Sequence, residues 1–260
     1  MINFVQITDV HLMPFKYDLL HNIPIFDLFS AMVKSIKKKE QLLDLVVFSG
    51  DLVNNGCLNS YNLFNSIVSI LDKPCFWVAG NHDNLDLLQN VAMKWQLLNE
   101  KAFTIRHQHF ILLNSVLKDD DGGNKSRGKL EKSELSFLEN ELATHLDFPC
   151  VIVLHHPPIF SRTWKDERML KNFNDFFEVI DKYKNLKLVL YGHQHQAFKT
   201  IRNDVIYYSP PAASFQFDRN TKWAFENSFS GYGLIQIDDN NLISCMDQFI
   251  KFPINPIYEK

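Results

Sequence analysis

Cysteine is scarce and poorly placed for chemistry. The four present, Cys57, Cys75, Cys150 and Cys245, lie far apart and form no Cys-x-x-Cys pair, which argues against thiolate zinc sites and a disulfide framework. No apolar run reaches the ~20 residues needed to span a bilayer. An excess of one charge is also missing. Lys+Arg number 27 and Asp+Glu 30, a net charge of -3 with pI ≈ 6.4, so no global field draws the chain to nucleic acid or an anionic membrane. Met1-Ile2-Asn3-Phe4 lacks a basic region followed by an apolar stretch. The expectation is therefore a mature chain in the reducing cytoplasm, without a signal peptide. There is no linker, internal repeat or composition break, and 46% hydrophobic with 22% charged residues is ordinary for globular proteins. Residues 1–260 are expected to form a single domain. Two features stand out against these absences: 22 phenylalanines, which predict a well-filled core, and ten histidines, six of them in short polar motifs.

Periodicity predicts strands and helices in alternation. Strands are expected at 2–8, 43–49, 74–79, near 102–106 and 109–115, then 150–154 and 186–191. Several are near-continuous apolar runs, the mark of strands buried on both faces. Helices are expected at 25–41, 58–71, 84–99, 132–144 and 170–184, with Ser133 a candidate N-cap. The run Asp119 to Asn124 reads as a loop. From about 197 the pattern becomes strand-only, at 197–202, 205–209, 212–217, 231–238 and 243–250. Such alternation predicts an α/β fold of sheets flanked by helices, and the final strands are expected as antiparallel additions to one sheet.

The chemistry clusters at strand ends. Asp9-Val10-His11, Gly50-Asp51, Gly80-Asn81-His82-Asp83, His155-His156-Pro157-Pro158 and Gly192-His193-Gln194-His195 each follow a predicted buried strand. Ligands of open α/β sheets bind beyond the carboxyl ends of strands, so five strands should deliver Asp, Asn and His to one rim. Imidazole and carboxylate donors together suit first-row metals. Seven candidates, Asp9, His11, Asp51, Asn81, His155, His193 and His195, are too many for one ion and suit two if a carboxylate bridges them, the arrangement that activates water and clamps a phosphoryl displacement. Each motif alone has a plainer explanation. Asp-x-His is commonly a turn with a surface histidine, Gly-Asp a turn, and Asp83 a helix N-cap. Five together, in this order, are hard to explain as turns.

In that order and spacing the motifs resemble the calcineurin-like metallophosphoesterases, whose pattern is Asp-x-His, Gly-Asp, Gly-Asn-His-Asp/Glu, His and Gly-His-x-His. The segments Gly50 to Gly56 with Ser60-Tyr61, Gly128-x-Leu130 with Leu135-x-Phe137-Leu138, Ser209-Pro210-Pro211 with Gln216-Phe217, and Gly231-Tyr232 resemble the bacterial class III cyclic nucleotide phosphodiesterases. The resemblance implies a four-layer α-β-β-α sandwich of two mixed β-sheets flanked by helices. It further implies two metal ions per chain, Mn or Fe foremost with Zn admitted. Asp9, His11 and His195 would hold one metal, Asp51 would bridge, and Asn81, His155 and His193 would complete the second site. Within the His155-His156 doublet the family pattern favours His155 as ligand, leaving His156 to pack or orient behind it. His82 would act on the leaving oxygen or the phosphoryl charge, and Asp83 would orient His82 or cap a helix. Asn54-Asn55, Glu134 and Phe137 depart from the branch pattern without touching a ligand.

The implied activity is hydrolysis of a phosphodiester, foremost 3′,5′-cyclic AMP to 5′-AMP, by a hydroxide bridging the metals. Apolar loops at 12–15, 159–164 and 209–217 are the candidate substrate walls. Other targets are a glycerophosphodiester, a 2′,3′-cyclic nucleotide or a nucleotide-linked diphosphate. A non-catalytic scaffold on the same fold is the reading from another class, and the intact ligand set argues against it. The partner is a small-molecule phosphodiester, with nucleic acid disfavoured for want of a basic stripe. The apolar, proline-broken tail 252–258 is expected to pack either on the body or on a second chain, which leaves a homodimer open.

Overall fold

The computed structural model describes residues 1–93, 95, 97–117, 126–226 and 229–251. Four strands of the first sheet run parallel: β1 (Ile2–Ile7), β2 (Leu45–Ser49), β3 (Cys75–Val78) and, at the edge, β4 (Leu97–Leu98). They are linked by the helices α1 (Ile25–Lys39), α2 (Leu58–Val68) and α3 (Leu85–Ala92). In the second sheet β6 (Gln108–Leu112), β7 (Cys150–Val153), β8 (Leu186–Leu190) and β10 (Val205–Ser209) run parallel, with α4 (Lys132–Thr144) and α5 (Phe173–Ile180) between them in sequence. Its edges are antiparallel hairpins: β5 (Ala102–Ile105) beside β6, and β9 (Phe198–Arg202) beside β10. Both hairpins turn on a residue pair with positive φ, Arg106-His107 and Asn203-Asp204, the backbone that matches strand twist in a tight turn.

Alternation along the strands sorts side chains into layers. Phe4, Leu45, Val47, Phe110, Val151, Val153, Leu188 and Leu190 are buried in the cluster between the two sheets. Val5, Ile7, Val46 and Phe48 turn the other way, onto Phe29, Met32, Phe64 and Leu88 of α1 to α3. Ile111, Ile152 and Val189 face Leu138, Leu142 and Phe176 of α4 and α5. The result is two mixed six-stranded sheets face to face with helices outside, the four-layer α/β sandwich. Phenylalanines anchor all three layers, as the Phe4–Phe110 edge-to-face contact at 5.3 Å and the stacked Phe29–Phe64 pair at 5.5 Å show.

Several expectations need correction. The C-terminal strands do not join one sheet. The β9–β10 hairpin extends the second sheet with β10 parallel to β8, whereas β13 (Phe229–Ile237) and β14 (Ile243–Lys251) add antiparallel to β1 of the first. The helix expected over 84–99 stops at Ala92, because Leu97-Leu98 pair with Cys75-Phe76 as an edge strand. The helix expected over 170–184 spans only Phe173–Ile180. Asn172 exchanges two hydrogen bonds with Leu130 at its start, and Asp181 is paired with Arg202 at its end. Ser133 lies inside α4, whose N-cap is Glu131. Of the strand expected over 212–217 only β11 (Gln216–Phe217) forms, paired with β12 (Phe225–Glu226). A 3-10 helix, Trp164–Arg168, was not foreseen. The loop at 119–124 and the tail 252–258 lie outside the described residues.

Phe110 is fully buried between the sheets, against Phe4 on one side and Phe103 on the other. Phe110→Ala should cost about 3–5 kcal/mol, the usual effect of truncating a core aromatic. The urea-unfolding midpoint measures it, and a midpoint close to that of the unaltered protein would mean that the inter-sheet layer repacks freely.

Candidate metal centre

β1, β2 and β3 end on one rim, and β7 and β8 of the facing sheet end against it. Hydrogen bonds lock the five exits together. Asp9 N donates to Gly50 O and His11 N to Asp51 O, both at 3.0 Å, and Gly192 N donates to His155 O at 3.0 Å. Across the sheets His193 N donates to Asp9 Oδ2 at 2.9 Å, and the buried Gln6 amide donates to Ser49 Oγ and Tyr191 O. Two glycines are dictated by crowding. Gly50 has φ +98°, and a Cβ there would sit 2.3 Å from the His155 ring; at Gly80 it would sit 2.2 Å from Asp51 Oδ1.

Two groups of donor atoms converge. In the first, His11 Nε2 faces His195 Nε2 at 3.1 Å, and Asp9 Oδ1 lies 3.3 Å from His195 Nε2 and 3.9 Å from His11 Nε2. In the second, His155 Nε2 faces His193 Nδ1 at 3.2 Å. Asp51 Oδ2 belongs to both, 3.4 Å from His11 Nε2 and 3.4 Å from His155 Nε2. The opposite ring nitrogens explain which atoms point inward. His155 Nδ1 donates to Ser49 O at 2.8 Å and His195 Nδ1 to Phe215 O at 2.9 Å, so in both rings the inward Nε2 carries a lone pair. Buried lone pairs aimed at one another and at carboxylates are satisfied by a cation, and Asn81 Oδ1, buried without a partner, is a further neutral oxygen donor. The donor set therefore fits metal ions of the imidazole-and-carboxylate class.

The electrostatics express the same demand for positive charge. Burial, reinforced by the Asp51 charge, pushes the Asp9 carboxyl up to about 6. Asp51 is buried too, but His155 and His11 outweigh that and hold it well below the usual carboxylate range. Burial would lower His155, yet Asp51 and Asp9 lift it to about 9. Burial lowers His11 to about 3 and drives His193 and His195 well below the ordinary imidazole range. Neutral His11, His193 and His195 beside a charged Asp51 are the protonation states that metal binding requires, and a bound cation would displace the proton that the carboxylates hold on His155. The backbone is strained in the same place: Asp9, His11, Asp51, His193 and His195 all have φ between 50° and 68°, a left-handed conformation uncommon for residues other than glycine.

The structure thus brings together six of the seven expected ligand candidates, with the unpartnered Asn81 Oδ1 buried on the neighbouring loop, and His82, Asp83 and His156 take the following places. His82 is exposed. Its backbone N donates to Asp51 Oδ1 at 2.8 Å, its Nδ1 meets Asn54 O at 3.0 Å, and its ring stands edge-on to His11 at 4.6 Å. Asp83 is not a helix cap; Asn84 caps α3 by accepting from Leu87 N. Nor does Asp83 hold the His82 ring. Its carboxylate gathers the amides of Gly80, Leu52 and Val53 and the Tyr61 hydroxyl, which fixes the loops carrying Asp51 and Asn81. His156 lies behind the centre, its Nδ1 on Ser115 Oγ at 2.8 Å and its ring 4.7 Å from that of His193.

Sequence inspection missed the backbone carbonyls of Ser49 and Phe215 that set the two histidine tautomers, because a carbonyl leaves no residue signature. It also missed the purpose of the 212–216 loop. Ala213 N donates to Thr8 O, Ser214 Oγ to Asp9 O, and the Gln216 amide ties the loop through both bonds to Ala212. Phe215 lies 4.4 Å from the His195 ring, ring centre to ring centre, and Trp164 meets Phe217 at 5.3 Å. Two of the three loops expected to form walls therefore meet beside the centre. In the third, Leu12 is buried in the core and Phe15 is exposed.

Comparison with known proteins agrees with this geometry. The family model described as calcineurin-like phosphoesterase matches residues 2–197. A protein of Nostoc sp. (strain PCC 7120) named 3′,5′-cyclic-nucleotide phosphodiesterase is 32% identical over 238 residues, covering 91% of this chain and 88% of that one. A protein of Vibrio vulnificus named 3′,5′-cyclic adenosine monophosphate phosphodiesterase CpdA is 25% identical over 250 residues, covering 95% and 89%. Among solved structures, a dimetal phosphatase from Danio rerio superposes with a TM-score of 0.66 at 14% identity, covering 96% and 98%, and shares the fold. The chain with this rim of Asp, Asn and His belongs to the calcineurin-like phosphoesterase family, whose members are metal-dependent hydrolases.

Proposed function

We propose that residues 1–260 form one domain, a cytoplasmic dinuclear-metal phosphodiesterase that hydrolyses 3′,5′-cyclic AMP to 5′-AMP. The observation that carries this reading is the pair of converging donor groups sharing Asp51 Oδ2. Asp9, His11 and His195 would hold one ion and Asn81, His155 and His193 the other, with Asp51 serving both. Mn or Fe suits these nitrogen and oxygen donors, with Zn admitted by the same chemistry. When bound, the two ions supply Lewis acidity toward phosphoryl oxygens and lower the pKa of water.

The chain's own residues do the rest. Asp9 and Asp51 set the charge of the centre, and the carbonyls of Ser49 and Phe215 keep His155 and His195 in the ligating tautomer. Asp83 holds the loops that carry Asp51 and Asn81 in register. His82, steadied through Nδ1 by the Asn54 carbonyl, presents Nε2 to the substrate. As the P–O3′ bond breaks, His82 gives its proton to the leaving oxygen and water supplies the new P–O bond, which yields 5′-AMP. The cyclic nucleotide is favoured over other diesters by the names of the Nostoc and Vibrio relatives.

His82→Ala should retain both metals and lose on the order of 10²–10⁴-fold in kcat, the usual worth of a general acid. The loss should shrink with bis(p-nitrophenyl) phosphate, whose leaving group needs little protonation. A metal ion missing from this variant would make His82 a ligand instead. The substrate is tested by comparing kcat/KM for 3′,5′-cyclic AMP, a 2′,3′-cyclic nucleotide and a glycerophosphodiester at one metal loading. Cyclic AMP should lead. A tenfold advantage for either competitor, about 1.4 kcal/mol of transition-state preference, would overturn the cyclic AMP assignment and leave the phosphodiesterase.

A further inference from the structure

Lys165 is one of the most buried charged side chains in the molecule, at 4% exposure. It sits in the short 3-10 helix Trp164–Arg168, and its Nζ lies over the Phe217 ring, 3.9 Å from the centroid, and 5.2 Å from that of Trp164. Among the described residues no carboxylate stands within ion-pair distance of Nζ, and no acceptor takes a hydrogen bond from it. Ring faces attract an ammonium but accept none of its three N–H bonds. An ammonium largely withdrawn from water, with no protein acceptor, gains from a ligand that brings one.

The ring it sits on borders the candidate metal centre. Phe217 N donates to His195 O at 3.0 Å, and the Phe217 and His195 rings are 5.1 Å apart, so Nζ and the His195 imidazole share one aromatic neighbour. Asp9 and Asp51 draw the Lys165 charge, and it in turn disfavours protonation of His11, His193 and His195. Among the described residues no other lysine or arginine is as buried. The remaining cations of the described residues are less buried, and many are paired on the surface, as Lys182 is with Glu139 and Arg202 with Asp181.

We propose that Lys165 is a substrate-binding residue, its ammonium donating to a non-bridging oxygen of the phosphoanion at the metal centre. This rests on the phosphodiesterase reading for its substrate and adds a third positive group, beyond the two metals, to the phosphate pocket. The Trp164 and Phe217 rings hold the ammonium in place, so binding spends little side-chain entropy. The contact also bears on product. A phosphomonoester carries more negative charge than the diester, so 5′-AMP and inorganic phosphate are held at the same point.

The probe is inorganic phosphate, titrated calorimetrically into the Mn-loaded protein, with bis(p-nitrophenyl) phosphate kinetics alongside. Lys165→Met keeps the length and removes the charge. It should retain both metals, weaken phosphate about 10–100-fold, the range of a hydrogen bond to a charged group, and lose a similar factor in kcat/KM. Lys165→Arg should recover most of both. Unchanged phosphate affinity and kcat/KM in folded, metal-loaded Lys165→Met would reduce the lysine to packing and overturn the proposal. Should that variant not fold, the Zn-loaded unaltered protein with ¹⁵N-labelled lysine decides: phosphate must shift the Lys165 Nζ resonance, and an unmoved resonance rejects the contact. The titration needs no turnover. A protein that binds phosphate through Lys165 but cleaves no diester would sink the functional reading alone.

Discussion

Everything at the rim answers to one electrostatic problem: two buried carboxylates and four imidazoles are pointed at the same small volume. Asp9 and Asp51 are essentially inaccessible, and taking such charges out of water is tolerable only with compensating positive charge and hydrogen bonds. The protein supplies part of the compensation through the amide of His193 on Asp9 and that of His82 on Asp51. The remaining inward-facing atoms are lone pairs. Asp51 is the hinge of this arrangement because a single oxygen lies equally close to a histidine of each group.

The backbone bears the strain of getting those groups there. Five of the proposed ligands sit in the left-handed region, each at a cost of about 1–2 kcal/mol relative to ordinary backbone. Such residues persist only where their surroundings over-determine them, and the surroundings here are the two sheets. The parallel strands end together on one rim, the inter-sheet layer holds the rims in register, and Gln6 ties β1 to the exits of β2 and β8. Gly50 and Gly80 allow the loops to approach where a methyl group would collide with His155 or Asp51. Stability of the core and geometry of the site are therefore one construction, assembled from strands whose apolar runs precede every chemical motif.

This division explains what could be read in advance. The buried strands and their terminal motifs were legible because hydrophobic runs and Asp, Asn and His at fixed spacing are properties of residues. The convergence of Asp9, His11, Asp51, His155, His193 and His195 could be expected from their places at strand ends. Position within the site was less legible. Asp83 resembles a helix cap in sequence, but the neighbouring Asn84 takes that place and frees Asp83 to bind three amides. The 212–215 segment has the composition of a strand, yet its backbone is spent on Thr8 and His195, and the Ser214 hydroxyl on Asp9, instead of a ladder. The allotment of C-terminal strands to both sheets depends on long-range pairing that carries no local signal. Lys165 escaped notice because a lysine between Trp164 and Asp166 looks like a solvated helix residue until burial is known.

The account stands on Asp51 joining two ion sites, and the number of metal ions per chain tests that most directly. After loading with excess Mn²⁺ and removal of free metal, elemental analysis of the unaltered protein should give two ions per chain. Asp51→Ala, folded as judged by circular dichroism, should hold at most one. Two ions retained by Asp51→Ala, or a wild-type protein that never takes up more than one, would contradict a bridged dinuclear centre.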